Sequence, residues 1–123
     1  MDFATYQRWL TDLGKAWMAL DSKNAVNLFS SDVEYYESAM SSPCKNWDTV
    51  FDLWKLVSVN QKDVAFEFDI LAISDKLCVA NWRVKRTMLP QSTSQEIDGI
   101  FVLKLNDEGL CNYLKQWRSV KNA

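Results

Sequence analysis

The spacing of hydrophobic residues changes once along this chain, near Lys62. Before it, apolar residues recur at steps of three and four, which places them on one face of a helix. From Val64 onward, apolar and polar residues alternate, as in strands with one buried face. Helices followed by consecutive strands predict an α+β fold in which the helices pack on one face of an antiparallel sheet.

Three helices are predicted before Lys62, over residues 3–20, 22–29 and 47–60. Each follows a residue that can cap it: Asp2, Asp21 and Asn46. Residues 33–37, rich in Val and Tyr, predict a short strand, and residues 38–45 predict a loop.

Four longer strands follow, separated by turn-forming residues. They are predicted over 64–73, 78–85, 96–105 and 110–118. The turns fall at 74–75, 90–94 and 106–109. Because the chain has 123 residues and no linker or repeat, we expect one soluble domain over 1–123.

Composition excludes several classes of function. The net charge is −2 and Lys and Arg are scattered, so we expect neither a nucleic-acid partner nor a membrane surface. No stretch approaches the roughly 20 apolar residues of a membrane span, and no signal peptide is recognisable. The three cysteines match neither a disulfide framework nor a zinc motif, which predicts a cytoplasmic protein with reduced thiols. There is no His, so we expect no metal site.

Six Trp, six Phe and four Tyr are unusual for this length and can build a large core or line a cavity. The predicted pocket walls include Trp17, Tyr35, Met40, Trp54, Phe66, Phe68 and Trp82. Aromatic residues at these spacings are more often plain core, so a filled interior remains open as an alternative.

Several local motifs resemble the SnoaL-like branch of the nuclear transport factor 2-like superfamily. They are Ala16-Trp17, Asp21, Leu28-Phe29, Asp32, Tyr35-Tyr36-Glu37, Trp54, Asp98-Gly99-Ile100-Phe101, Asn106 to Gly109, Cys111 and Gln116-Trp117. The resemblance covers nearly the whole chain. It implies a cystatin-like α+β roll, a cone-shaped curved antiparallel sheet enclosing a pocket with three N-terminal helices. It also implies dimers through sheet faces, and functions that range from isomerases and cyclases to binding domains.

Glu37 is the candidate catalytic residue that the resemblance implies, because it matches the position of the proton-shuttling aspartate of steroid isomerases. A carboxylate at the mouth of an aromatic pocket loses hydration and becomes a stronger base. The alternative is a hydrogen-bonded or solvated Glu that closes the loop 38–45. Leu13 and Phe101 stand where those isomerases carry oxyanion donors, which argues against their mechanism.

The last strand contributes further pocket candidates. By resemblance Leu114, Gln116 and Arg118 face the pocket, where Gln116 can orient a ligand carbonyl and Arg118 can pair with a carboxylate or with Glu37. Parity places Asp98 on the outer face, in a structural role, with Gly99 giving a bend or bulge.

An apolar patch is predicted on the outer sheet face. It comprises Ile100, Val102, Cys111, Tyr113 and Trp117. Such a patch invites a second copy of the chain. Two hypotheses follow. The first is a domain that binds a small apolar, carbonyl-containing molecule without a cofactor, with or without acid–base activity. The second is a non-catalytic homodimeric interaction module whose cone is filled.

Overall fold

The computed structural model describes residues 2–122, so the predicted domain 1–123 extends beyond it by one residue at each end. The described chain forms three helices and five strands. In order they are α1 (Phe3–Met18), α2 (Ser22–Val26), β1 (Phe29–Tyr36), α3 (Trp47–Asn60), β2 (Gln61–Ser74), β3 (Leu77–Met88), β4 (Thr93–Leu105) and β5 (Cys111–Asn122). The predicted α+β class is confirmed.

The first and third helices form as their spacing predicts. Asp2 caps α1 by accepting a hydrogen bond from the backbone N–H of Thr5 at 3.0 Å. The apolar face of α1 is buried against the sheet, and α1 ends two residues earlier than predicted. Leu20 has a φ of +54°, which no residue within a helix adopts. Asn46 caps α3, whose bounds agree with the prediction.

The second helix is shorter than predicted and the first strand is longer. Phe29 matched the helical spacing, yet it is the first residue of β1 and is buried there. The backbone N–H of Cys111 donates to the carbonyl of Leu28 at 2.8 Å, so pairing with β5 begins where a continued α2 would have been. An apolar residue at this spacing reaches the core from either conformation.

The sheet has the order β1-β5-β4-β3-β2. Strands β2 to β5 form the antiparallel meander that the alternation predicts. Strand β1 adds to its edge parallel to β5, which the sequence analysis did not predict. This edge carries the end of β1 to the open side of the cone, where Glu37 follows.

The prediction that Cys111 lies on the outer face is wrong. Cys111 is fully buried, as is Leu114 three residues later. The pairing of β4 with β5 shifts by one residue between Lys104 and Leu105, which indicates a β-bulge. The extra residue lies between Cys111 and Tyr113, so alternation counted back from Tyr113 assigns Cys111 to the wrong face.

The other outer-face predictions agree with the structure. Tyr113 is partly exposed and Trp117 is 45% exposed. Asp98 is exposed and accepts a hydrogen bond from Asn81 at 2.7 Å. Gly99 causes no bulge, because the register of β3 with β4 runs through it without a shift. In the described residues, no helix is long and apolar enough to cross a membrane.

Candidate functional site

Aromatic rings fill the deep part of the cone. Trp17 of α1 packs edge-on against Trp54 of α3, with ring centroids 5.4 Å apart. Trp82 of β3 lies 5.6 Å from Trp17 and stacks on Phe101 of β4 at 4.8 Å. Phe66 of β2 lies 5.8 Å from Trp17. These contacts join α1 and α3 to the inner face of the sheet.

Two glycines allow this packing. A Cβ atom on Gly14 would lie 2.5 Å from the Phe66 ring, and one on Gly99 would lie 2.6 Å from the Trp82 indole. Real Cβ atoms essentially never approach other atoms so closely. Gly99 therefore provides space for Trp82, where the sequence analysis expected a bend or bulge.

A cleft of about 240 Å³ remains at the mouth of the cone. It lies between the C-terminal half of α3 and the inner faces of β3, β4 and β5, beside the end of β1. Its lining residues are Trp17, Tyr35, Glu37, Leu53, Trp54, Leu56, Val57, Asn60, Gln61, Arg86, Met88, Phe101, Gln116 and Arg118. One part of the wall is aromatic and aliphatic and the other carries amides and charges.

The charged part of the wall contains Glu37, Arg86 and Arg118. Arg118 Nη2 lies 3.7 Å from Glu37 Oε1, and these side chains are 31% and 46% exposed. The Glu37 side chain therefore keeps much of its hydration, contrary to the expectation for a buried base. An ion pair this exposed contributes little to stability.

Arg86 has a different environment. Its Nε and Nη2 atoms both donate to the side-chain oxygen of Gln95, at 3.1 and 3.0 Å. Burial, and then the nearby positive charge of Arg118, lower the pKa of Arg86 from its ordinary value. Within residues 2–122, Arg86 forms no ion pair.

Uncharged polar groups complete the wall. The indole N–H of Trp17 donates to Gln61 Oε1 at 3.0 Å, which fixes both side chains. Gln116 is 4% exposed and lines the cleft, and among the described residues the buried indole N–H of Trp54 has no hydrogen-bond partner. Burial, and then the charge of Glu37, raise the pKa of Tyr35 far above its ordinary value.

The cleft brings together seven of the predicted site residues. They are Trp17, Tyr35, Glu37, Trp54, Phe101, Gln116 and Arg118. Leu13, Trp82 and Leu114 are buried behind it, and Phe66 and Phe68 are partly buried in the adjoining core. Met40 is 96% exposed and does not line the cleft. It lies in a loop without a hydrophobic period, so the sequence gives no basis for orienting it.

Arg86 and Met88 line the cleft but were not among the predicted site residues. Both lie on the inward face of β3, in step with Trp82 and Val84. Continuing that alternation by two residues beyond Val84 indicates Arg86. Val57 lies one helical turn after Trp54 and so shares its face of α3, whereas Gln61 follows the helix directly and carries no periodic signal.

No protein-family model and no curated protein matches the sequence. Solved structures resemble it closely in shape. The epoxide hydrolase/cyclase-like enzyme SalBIII, described in pyran ring formation in the polyether salinomycin, has a TM-score of 0.87 at 13% identity, over 99% of this chain and 98% of that one. An NTF2-like protein of unknown function from Exiguobacterium sp. 255-15 has a TM-score of 0.73 at 16% identity, over 94% and 98%.

A third similar structure is a computationally designed 17-OHP binder, with a TM-score of 0.75 at 17% identity over 95% of this chain and 97% of that one. The high TM-scores establish the fold, whereas sequence identities this low leave the function open. The chain has the NTF2-like fold that the resemblance implied.

Proposed function

We propose that this domain binds a small, mostly apolar molecule, carrying a carbonyl or similar polar group, in the cleft at the mouth of the cone. The observation that carries the proposal is the composition of the cleft wall. Trp17, Trp54 and Phe101 offer an apolar surface, the nearly buried Gln116 amide lies beside them, and the buried indole N–H of Trp54 has no hydrogen-bond partner in the described residues. Ligand sites combine apolar walls with a few such polar groups.

The volume limits the ligand. About 240 Å³ lies below the roughly 300–1,000 Å³ of pockets that enclose drug-sized molecules. The molecule, or the part of it that enters, is therefore small. Two similar folds, one called an epoxide hydrolase/cyclase-like enzyme and the other a designed 17-OHP binder, support the use of this architecture for small molecules.

The proposal concerns binding alone. Whether Glu37 also acts as a catalytic base is a separate question. Proton transfer at a carbon next to a carbonyl is the reaction class that a single carboxylate suits. The ion pair with Arg118 and the hydration of Glu37 weigh against it. A Glu37→Gln variant decides the matter for any activity found, since an unchanged rate would dismiss Glu37 as the base.

A thermal-shift screen with small lipophilic ketones and acids tests the binding proposal. A ligand at 100 times its Kd stabilises the folded state by about 2.7 kcal/mol. Leu56→Trp places an indole at the cleft mouth from a position that is 61% exposed, and we expect it to abolish the shift. Val59→Trp, on the same helix at a position 67% exposed and away from the cleft, is the control. Equal shifts in both variants would place the ligand elsewhere.

We infer a homodimer through the outer sheet face as a second candidate function. Trp117 is 45% exposed there, and Tyr113 lies on the same face of β5. Exposed aromatic side chains are enriched at interfaces. Sedimentation of the wild-type chain should give a dimer and Trp117→Glu a monomer. A wild-type monomer at high concentration would rule this interface out.

A further inference from the structure

We propose that the ligand of the cleft carries a carboxylate, which Arg86 and Arg118 bind while its apolar body rests against the aromatic wall. This inference depends on the proposed binding function and specifies the chemical class of the ligand. It starts from the charges of the lining residues. They comprise two arginines and one glutamate, which leaves one positive charge in excess. The whole chain has a net charge of −2, so the cleft is cationic in an acidic protein.

Arg86 is the arginine that lacks a counterion. Its two hydrogen bonds to Gln95 use one neutral oxygen, and no acidic side chain pairs with it in the part of the chain that the structure describes. A partly buried charge without an opposite charge is unfavourable. Its Nη1 atom donates no hydrogen bond to a side chain in residues 2–122. An anion in the cleft would supply both the counterion and the acceptor.

The second arginine strengthens the same site. Arg118 lines the same cleft as Arg86, from the neighbouring part of the wall that contains Glu37. Glu37 engages Arg118 only at 3.7 Å and from a half-exposed side chain, so it does not neutralise the pair fully. Two guanidinium groups facing one cleft form a site to which a planar, bidentate oxyanion is complementary.

The excess of one positive charge favours a carboxylate over a phosphate. A carboxylate brings one negative charge, whereas a phosphate monoester brings between 1.5 and 2 at neutral pH. A phosphate would leave the small cleft negatively charged beside Glu37. The amide of Gln116, which lines the same cleft, can donate to the second carboxylate oxygen or to a carbonyl in the same molecule.

The test compares ligands that differ only in the head group. We use 3-phenylpropanoate, its uncharged amide 3-phenylpropanamide, and 2-phenylethyl phosphate, and measure Kd by calorimetry at two salt concentrations. We expect the carboxylate to bind about tenfold more tightly than the amide, since charge-assisted hydrogen bonds are about twice as strong as neutral ones. Higher salt should reduce this preference.

Variants locate the effect. Arg86→Gln should bring the carboxylate-to-amide ratio close to one, and Arg86→Lys should keep part of it. Lys85→Gln, one residue earlier and on the exposed outer face, removes the same charge and should leave the ratio unchanged. The ratio is measured within each variant, so a loss of stability does not mimic the effect.

Each outcome is decisive. Equal affinity for acid and amide would overturn the carboxylate while leaving the binding proposal intact. Tighter binding of the phosphate would replace the carboxylate with a phosphate. No binding of these compounds, together with no shift in the ketone and acid screen, would remove the binding proposal and this inference with it.

Discussion

At the scale of single residues, glycine decides how the cone is filled. Gly99 faces Trp82 across the β3–β4 pairing, and Gly14 faces Phe66 across the α1–β2 contact. Neither Gly14 nor Gly99 has a positive φ. Glycine is needed at these positions because there is no space for a side chain, and not because of the backbone conformation. The aromatic packing next to the cleft therefore requires glycine, which has no side chain, at both positions.

Gly99→Ala should destabilise the fold. The new methyl group would lie 2.6 Å from the Trp82 indole, and overpacking of a core typically costs about 1–3 kcal/mol. Chemical denaturation measures the loss. In a Trp82→Phe background the same change should cost less, because the smaller ring removes the clash. Equal costs in both backgrounds would show that Trp82 does not set the requirement.

The buried thiol of Cys78 predicts how stability depends on pH. Burial raises the pKa of Cys78 to about 11, above its ordinary value of 9.0. The unfolded chain therefore loses this proton at a lower pH than the folded protein does. The stabilisation is complete below about pH 9 and is lost as pH rises towards 11, at a rate of at most about 1.4 kcal/mol per pH unit for one proton.

Cys78→Ala isolates this contribution. The variant starts from a lower free energy of unfolding, because a buried side chain is shortened, but it should lose less stability between pH 9 and 11. Urea denaturation at several pH values compares the two slopes. Identical slopes would mean that the Cys78 thiol titrates alike in the folded and unfolded states.

At the scale of elements, α3 forms one side of the cleft, and its start is set by a single cap. Asn46 Oδ1 accepts a hydrogen bond from the backbone N–H of Thr49 at 2.9 Å. Asn46→Ala should lower the free energy of unfolding by about 1 kcal/mol, whereas Asn46→Ser keeps an acceptor and should lose less. Thermal or urea denaturation distinguishes them. A serine variant as unstable as the alanine variant would contradict the capping role.

The elements also show what the sequence can and cannot predict. Trp17 and Trp54 belong to clear helical faces, so their inward orientation followed from the spacing. Phe29 fits both a helix and a strand, and only pairing with β5 decides between them. The burial of Cys111 depends on a bulge whose position is set by the β4–β5 register. Met40 lies in a loop, where no period exists to predict its orientation.

The cleft also has parts that the sequence predicts and parts that it does not. Its aromatic wall was predictable because core residues repeat with the period of their element. Its polar and charged wall was predicted only in part. The resemblance to known motifs indicated Glu37, Gln116 and Arg118, but it did not indicate Arg86. Arg86 lies on the inward face of β3, but the predicted strand ended at residue 85, whereas β3 continues to Met88. Strand ends are set by long-range pairing, which local spacing does not contain.

At the scale of the whole molecule, the two faces of the sheet differ in character. The inner face is filled with rings except at the mouth, where positive charge is in excess. On the outer face, Arg83 of β3 forms ion pairs with Glu67 and Asp69 of β2, both at 2.9 Å. Strand β5 exposes Trp117 on the same face. The binding and dimer proposals therefore concern separate surfaces and can be tested independently.

The central claim is that a small molecule occupies the cleft, and the indole N–H signals in an NMR titration test it most directly. Trp17 lines the cleft, whereas Trp9 and Trp47 donate to the carbonyls of Leu28 and Val26, and Trp117 lies on the outer face. With 3-phenylpropanoate we expect the Trp17 signal to shift while those of Trp9 and Trp117 stay in place. A titration that leaves Trp17 unchanged, or moves only Trp117, would contradict the account.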